Sequence, residues 1–172
     1  GSGRTDAGVH AEGQVENVML PASVDSGLLL KAVNGELPSD VAVKSVETVP
    51  ERFHARYLAV AKTYRYRLDD GWYGNPLLRR FAWRVPAALD LDRMTAAARL
   101  LIGTHDFAAF TAERGKANTT RTVYSIRFDR IELFGSRPLD ILVRGAGFLW
   151  KQVRIMASAL VAVGQAEHDE AW

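Results

Sequence analysis

Apolar residues along this chain recur at helical spacing in some segments and alternate with polar ones in others. The clearest helix is expected over Asp90 to Ile102, where Met94, Ala97, Ala98 and Leu101 form a stripe, Asp90 caps the start and Gly103 stops the end. A second stripe, Val153, Met156, Ala157 and Leu160, predicts a helix ending at Gly164. Ser26 to Asn34 reads as a short helix, with Asp25 or Ser26 as its cap and Gly35 just past its end. Strands are expected at Gln14 to Leu20, along Val41, Val43, Val46 and Val49, and over Ala59 to Leu68, where period two puts Tyr64 and Tyr66 on one face. Tyr124-Ile126-Phe128 and Leu139-Ile141-Val143 alternate in the same way and are joined through a turn at Gly135-Ser136. Strands interleaved with helices, without repeats or low complexity, point to α+β layers.

Composition narrows the class. The 172 residues are 48% hydrophobic and 24% charged, an ordinary globular balance able to bury one core or two small ones. No apolar run is long enough to span a bilayer. With no cysteine, disulfides and thiolate metal sites are excluded, which fits a reducing compartment. The four histidines, His10, His54, His105 and His168, are far apart and form no metal-binding pair; His10 and His54 are expected to brace loops or touch phosphate. A formal charge of +2 indicates a polyanionic partner only where cations cluster. They do so at Arg52 to Arg67, Arg79 to Arg84 and Arg114 to Arg121, although such runs are also what solvated strand and loop faces look like.

The candidate chemistry lies at the start. Gly3-Arg4-Thr5-Asp6-Ala7-Gly8-Val9-His10-Ala11 brackets one carboxylate, Asp6, between two glycines, with an arginine two residues before it. Glycines allow backbone angles closed to other residues and let a ligand approach, and Arg4 is expected to act as a cationic partner of Asp6. Spacing alone also permits an ordinary turn residue that caps nearby N–H groups. A dinucleotide loop at Gly1-Ser2-Gly3 is excluded, because Asp6 stands where the third glycine would be and would repel a pyrophosphate.

The whole string, however, resembles the signature of the tRNA pseudouridine synthase A family, and further motifs follow it in order. Asn34-Gly35-Glu36-Leu37-Pro38 with Asp40 to Val43 resembles N-x-x-L-P-x-D-I-x-V. Phe53-His54-Ala55-Arg56 and Lys62-Thr63-Tyr64-Arg65-Tyr66 resemble F-H-A-R and K-x-Y-x-Y. Gly103 to Phe110 resembles G-x-H-D-F-x-x-F, and Gly147-Phe148-Leu149 with Val153-Arg154 resembles G-F-L-x-x-x-V-R. Lys151-Gln152 and Ala157-Ser158 depart from the residues common at those places, without touching Asp6 or Arg154.

The resemblance implies two related α+β domains, each an antiparallel sheet backed by helices, with a catalytic cleft between them. The boundary is expected near Glu51 to Leu58, leaving 1–56 as the remainder of an Asp-bearing domain and 57–172 as a second one. Against the family pattern, an N-terminal strand and helix and a final segment are expected to be missing, and a chain so shortened is expected to be inactive alone. The implied activity is conversion of uridine to pseudouridine in the anticodon stem-loop of tRNA, at tRNA positions 38 to 40. That reaction breaks the bond from ribose C1′ to uracil N1, turns the base and joins C5 to C1′, so it needs no cofactor and no metal. Asp6 would be the catalytic residue, as nucleophile or base. Arg4 and Arg154 would be its ionic partners, Tyr64 the platform for the uracil, and Arg56, His10 and Phe148 further substrate contacts. The resemblance also implies a homodimer in the cytoplasm with tRNA as its partner. The reading from another class is an RNA-binding module of the same fold without activity.

Overall fold

The computed structural model describes residues 1–3, 5–20 and 24–166. The chain gathers into two compact units, Gly1–Ala59 and Val60–Trp172.

Among the described residues, the second unit holds one sheet and two of the three α-helices, an α+β arrangement. Its elements are β1 (Lys62–Asp69), β2 (Trp83–Arg84), α2 (Leu91–Leu101), β3 (Gly103–Asp106), β4 (Thr120–Arg130), β5 (Leu139–Gly145) and α3 (Gln152–Gly164). In space the strands run β2-β1-β5-β4-β3. All neighbours are antiparallel except β1 and β2, which are parallel, so the sheet is mixed and not the purely antiparallel one expected. A parallel neighbour needs a crossover, and residues 70–82 supply it. Along β1, Tyr64, Tyr66 and Leu68 pair with Val143, Ile141 and Leu139 of β5, so the apolar positions of both strands share one face. Helices α2 and α3 pack on each other, α2 against β4 and α3 against β1. Between the layers lie Leu68, Val123, Ile141, Val143, Met94, Met156 and Leu160, all nearly inaccessible.

Both helical stripes expected here are found. Asp90 caps α2, accepting from the N–H groups of Asp92 and Arg93 at 3.0 and 3.1 Å, and Gly103, at φ +120°, follows its end. The strand expected from Ala59 begins only at Lys62, where pairing with Gly145 starts. The strands expected around Tyr124 to Phe128 and Leu139 to Val143 are the centres of β4 and β5. Their connection contains a two-residue turn, Phe134-Gly135, closed by mutual backbone bonds of Leu133 and Ser136 at 2.9 and 3.0 Å. Both turn residues have positive φ, +50° and +71°, the geometry that matches the twist of hairpin strands. For Phe134 the left-handed region costs roughly 1–2 kcal/mol. On the opposite face of the sheet, Asp140 is buried and takes two bonds from Arg67, at 2.7 and 2.8 Å, with Arg65 at 3.3 Å. Asp70 holds Arg130 at 2.6 and 2.8 Å, a hydrogen-bonded pairing that raises the guanidinium pKa despite its partial burial.

The first unit is held differently. Its one helix among the described residues, α1 (Ser26–Glu36), is capped by Asp25, whose Oδ1 accepts from Leu28 N–H at 2.8 Å. It runs through Gly35 rather than stopping before it; Pro38 ends it, by keeping the preceding Leu37 extended at φ −76°, ψ 147°. The two strands expected at Gln14 to Leu20 and Val41 to Val49 do not form among the described residues. An extended segment becomes a strand only when a neighbouring strand takes its polar groups, and at Val43 a side chain takes them instead. Asn34 Oδ1 accepts from Val43 N–H at 2.8 Å, and its Nδ2 donates to Val43 C=O at 2.9 Å. Ala55 is the only buried residue among those described in this unit, and no residue of α1 is buried.

Among the described residues no helix is long and apolar enough to cross a membrane. No group of three or more His, Cys, Asp or Glu side chains among them gathers as metal ligands do.

Candidate active site

Asp6 opens a tight turn. Its carbonyl accepts from Val9 N–H at 3.0 Å, and Gly8, the third residue of the turn, sits at φ +75°. A Cβ on Gly8 would meet nothing within 4 Å, so the glycine is required by backbone angle and not by space. The turn leaves Asp6 exposed, with His10 exposed just beyond it. Upstream, Ser2 N–H donates to Val15 C=O and Gln14 Nε2 donates to Gly3 C=O, both at 2.7 Å, so the ends of the Asp6 segment are clipped together. Arg4 lies outside the described residues, as does His168.

Arg56 is in the same unit, exposed on a turn built by its neighbours. His54 Nδ1 accepts from the N–H groups of Arg56 and Tyr57 at 3.2 and 3.3 Å, while Asn17 Oδ1 accepts from Ala55 N–H at 3.0 Å. His54 therefore braces a loop, as expected of it, and leaves the arginine head to solvent.

In the second unit the structure brings two of the predicted residues together. Tyr64 and Phe148 meet edge to face, ring centroids 5.2 Å apart and planes at 87°. Both are partly buried against the core, which fixes their rings and leaves part of each open. Phe148 lies across Gly145: a Cβ there would come within 2.7 Å of Thr122 C=O and 2.9 Å of Phe148 Cζ. Arg154 follows four residues after Trp150 on the exposed side of α3, away from the buried stripe of Val153, Met156, Ala157 and Leu160.

The first unit thus presents a water-facing carboxylate at the head of a turn, and the second an aromatic pair with an exposed arginine on the helix that follows it. Known proteins match the chain over most of its length. The sequence profile of the tRNA pseudouridine synthase family matches residues 97–172. The tRNA pseudouridine synthase A of Bacillus sp. (strain KSM-64) is 42% identical over 170 residues, 98% of this chain and 68% of that protein. Those of Syntrophotalea carbinolica and Limosilactobacillus reuteri are 46% and 43% identical, each over 95% of this chain and 64% of their own length. The chain belongs to the tRNA pseudouridine synthase A family. It spans about two thirds of the length of these curated relatives.

Within the family's motifs, the structure separates residues that serve architecture from those left free for chemistry. In Gly103 to Phe110, Phe107 is buried, His105 Nε2 bonds Ile102 C=O at 2.9 Å, and Asp106 accepts from Ala108 N–H at 3.0 Å, closing the turn Ala108–Phe110. The basic run Arg52 to Arg67 is likewise divided. Arg67 is committed to buried Asp140, which corrects its expected place among phosphate contacts, whereas Arg56 is exposed. Gln152, which departs from the residue common at that place in the family, is fully buried. Its Oε1 accepts from Leu149 N–H at 2.8 Å, and it opens α3 directly after Lys151, which sits at φ +61°. Gln152 thus fixes the loop that carries Phe148 to Tyr64. Its signal in the sequence is a polar residue at the head of an apolar helical stripe.

Proposed function

We propose that this chain carries the catalytic carboxylate and the base platform of an enzyme that isomerises uridine to pseudouridine in tRNA, at positions 38 to 40 of the anticodon stem-loop. The observation that carries the reading is the Gly3 to His10 string, with Asp6 exposed at the head of a turn that depends on Gly8, in a chain of this family. Asp6 acts at the ribose, attacking C1′ or taking the C2′ proton, and Arg4 and Arg154 pair with it. Tyr64 receives the uracil and Phe148, held by Gln152, backs the ring. Arg56 and His10 take phosphates, together with Arg127 and Arg144, which line a hollow of about 260 Å³ on the sheet face away from the helices. The reaction moves no electrons to or from a carrier and transfers no group between molecules, so the protein's task is to hold the detached uracil and stabilise charge at C1′. In this reading the two units are related domains, and the protein works in the cytoplasm as a homodimer.

The test is Asp6→Asn in the full-length protein, with an unmodified tRNA transcript. Turnover, read by mapping pseudouridine, falls at least about a thousandfold, because the reacting group is gone. Affinity for the transcript stays within about threefold, since that interaction belongs to the transition state. Residual turnover near that of the parent refutes Asp6 as the reacting group. A parent that binds the transcript but forms no pseudouridine leaves the RNA-binding module as the reading.

A further inference from the structure

At the end of the second unit opposite Tyr64, three large aromatic rings face water on two loops that are tied together. Trp72 and Tyr73, just after β1, are 87% and 83% exposed and stand edge to face, their centroids 6.4 Å apart. Phe134, in the turn between β4 and β5, is 59% exposed. Free-standing aromatics of this size are unusual on a protein surface unless something covers or uses them. Phe134 carries a second mark. It occupies a φ of +50°, where Asn or Gly is ordinary and a bulky side chain is disfavoured, so the strained position keeps a ring that buries little.

Neither loop is loosely held. Arg84 donates to the carbonyls of Asp69 and Trp72 at 2.7 and 3.2 Å, and Asp69 accepts from Asn75 N–H at 2.7 Å. Asn75 Nδ2 then reaches the other loop, donating to Phe134 C=O at 3.1 Å and to Ser136 Oγ at 2.9 Å. The rings are thus presented on a preformed frame. Of the charges on and near these loops, Asp70 is taken up by Arg130 and Glu132 by Arg137, while exposed Arg79, which lines a hollow with Gly74 and Asn75, and its neighbour Arg80 enter none of the ion pairs found among the described residues.

We propose that this end is a second RNA contact, a platform on which unpaired nucleotides stack against Trp72, Tyr73 and Phe134 while Arg79 and Arg80 take their phosphates. Aromatic faces with flanking arginines are the chemistry that holds single-stranded nucleic acid without reading its sequence. The choice of RNA as ligand rests on the functional reading above. Asp69 lies five positions after Tyr64 along β1, roughly 17 Å of strand, so the platform engages nucleotides other than the one whose base Tyr64 receives.

The test is fluorescence-anisotropy titration of a labelled, unmodified tRNA transcript with the full-length protein at several salt concentrations. Combined Trp72→Ala and Tyr73→Ala weakens binding about tenfold or more and leaves the salt slope unchanged, because stacking carries no charge. Combined Arg79→Gln and Arg80→Gln flattens the log–log slope by roughly 0.7 for each lost phosphate contact. Phe134→Gly weakens RNA binding while raising Tm, since glycine accepts the positive φ that phenylalanine resists. Aromatic variants that fold and bind within about twofold of the parent overturn the platform. So does unchanged RNA affinity with an altered sedimentation coefficient, which would make this end a contact between copies of the chain. The functional reading fails separately: a parent that forms no pseudouridine, while its aromatic variants still lose RNA, leaves the platform standing and removes the enzyme.

Discussion

The two units of this chain are held by different forces. The described residues of the second unit, 60–166, bury a continuous apolar layer between one face of a five-stranded sheet and two helices, with Leu68, Leu139, Ile141, Met94 and Met156 sealed from water. Residues 1–59 bury almost nothing among those described, and large apolar side chains such as Val18, Met19 and Leu28 stay exposed. What orders them is a set of side-chain clips onto backbone: Asn34 on Val43, Gln14 on Gly3, Asn17 on Ala55 and His54 on Arg56. Each such bond contributes about 1 kcal/mol net, whereas a fully buried leucine contributes about 1.5–3 kcal/mol. The proposed reacting carboxylate sits in the weakly held unit and the proposed base platform in the strongly held one. The difference suggests a division of labour, in which the rigid layer fixes the aromatic surface and the clipped loop keeps Asp6 exposed.

The largest expected contrast is in stability. Leu160, 1% exposed in α3, lies in the layer between sheet and helices, and Leu160→Ala should cost about 2–5 kcal/mol. Leu28, 67% exposed in α1, should cost no more than about 0.5 kcal/mol as Leu28→Ala. Urea unfolding measures both. Native-state hydrogen exchange should match: amides of β5 and α3 protected close to the global value, those of residues 1–59 exchanging through openings of far lower free energy. Equal costs for the two leucines would show that α1 packs against something as firmly as α3 does.

Next is the aromatic pair. Tyr64→Phe keeps the ring and should change kcat/KM little, while Tyr64→Leu should lower it about tenfold if stacking worth 1–3 kcal/mol is the main interaction. Gly145→Ala perturbs the same pair from below, since its Cβ must displace Phe148 and cannot displace the carbonyl of Thr122. A cost of about 1–3 kcal/mol in stability is expected, with loss of kcat/KM beyond what that accounts for. Equal losses for Phe and Leu at Tyr64 would place the function in its hydroxyl rather than in its face.

The same contrast decides what was legible in the sequence. In the second unit the helices α2 and α3 and the centres of β4 and β5 follow from periodicity, because one face of each is buried and burial is what imposes a period. The short β2 and β3 carry no such pattern; β2 adds two residues at an edge, and three of the four in β3 are exposed. In the first unit periodicity misleads. Val41, Val43, Val46 and Val49 alternate in part as a strand would, yet no strand partner reaches them among the described residues and Asn34 takes the polar groups of Val43 instead. Gly35 reads as a helix stop, although the restriction that Pro38 places on Leu37 ends α1. There the motif was the better guide, since Asp6 and Gly8 are recognised by residue type and order without any core to impose spacing. Gln152 escaped both routes: its role is a bond from a buried side chain to Leu149, visible only once α3 is folded against the loop.

The smallest expected effect is at Gly8, and it isolates what the turn contributes to the candidate site. The position is open, with nothing within 4 Å of a Cβ, so substitution there meets no clash and changes only the backbone preference at φ +75°. Gly8→Ala should therefore cost about 1 kcal/mol, appearing as a severalfold fall in kcat with KM little changed, because the turn positions Asp6 and has no part in holding the rest of an RNA. Gly8→Asn should recover part of the loss, since asparagine enters the left-handed region more readily than alanine. Steady-state kinetics on an unmodified tRNA transcript would read both variants, and a circular dichroism spectrum unchanged from the parent would show that the layer formed by residues 60–172 is intact. Alanine and asparagine variants that both match the parent would mean that Asp6 is positioned by something other than this turn, and the contrast between a clipped loop and a packed platform would lose its functional content.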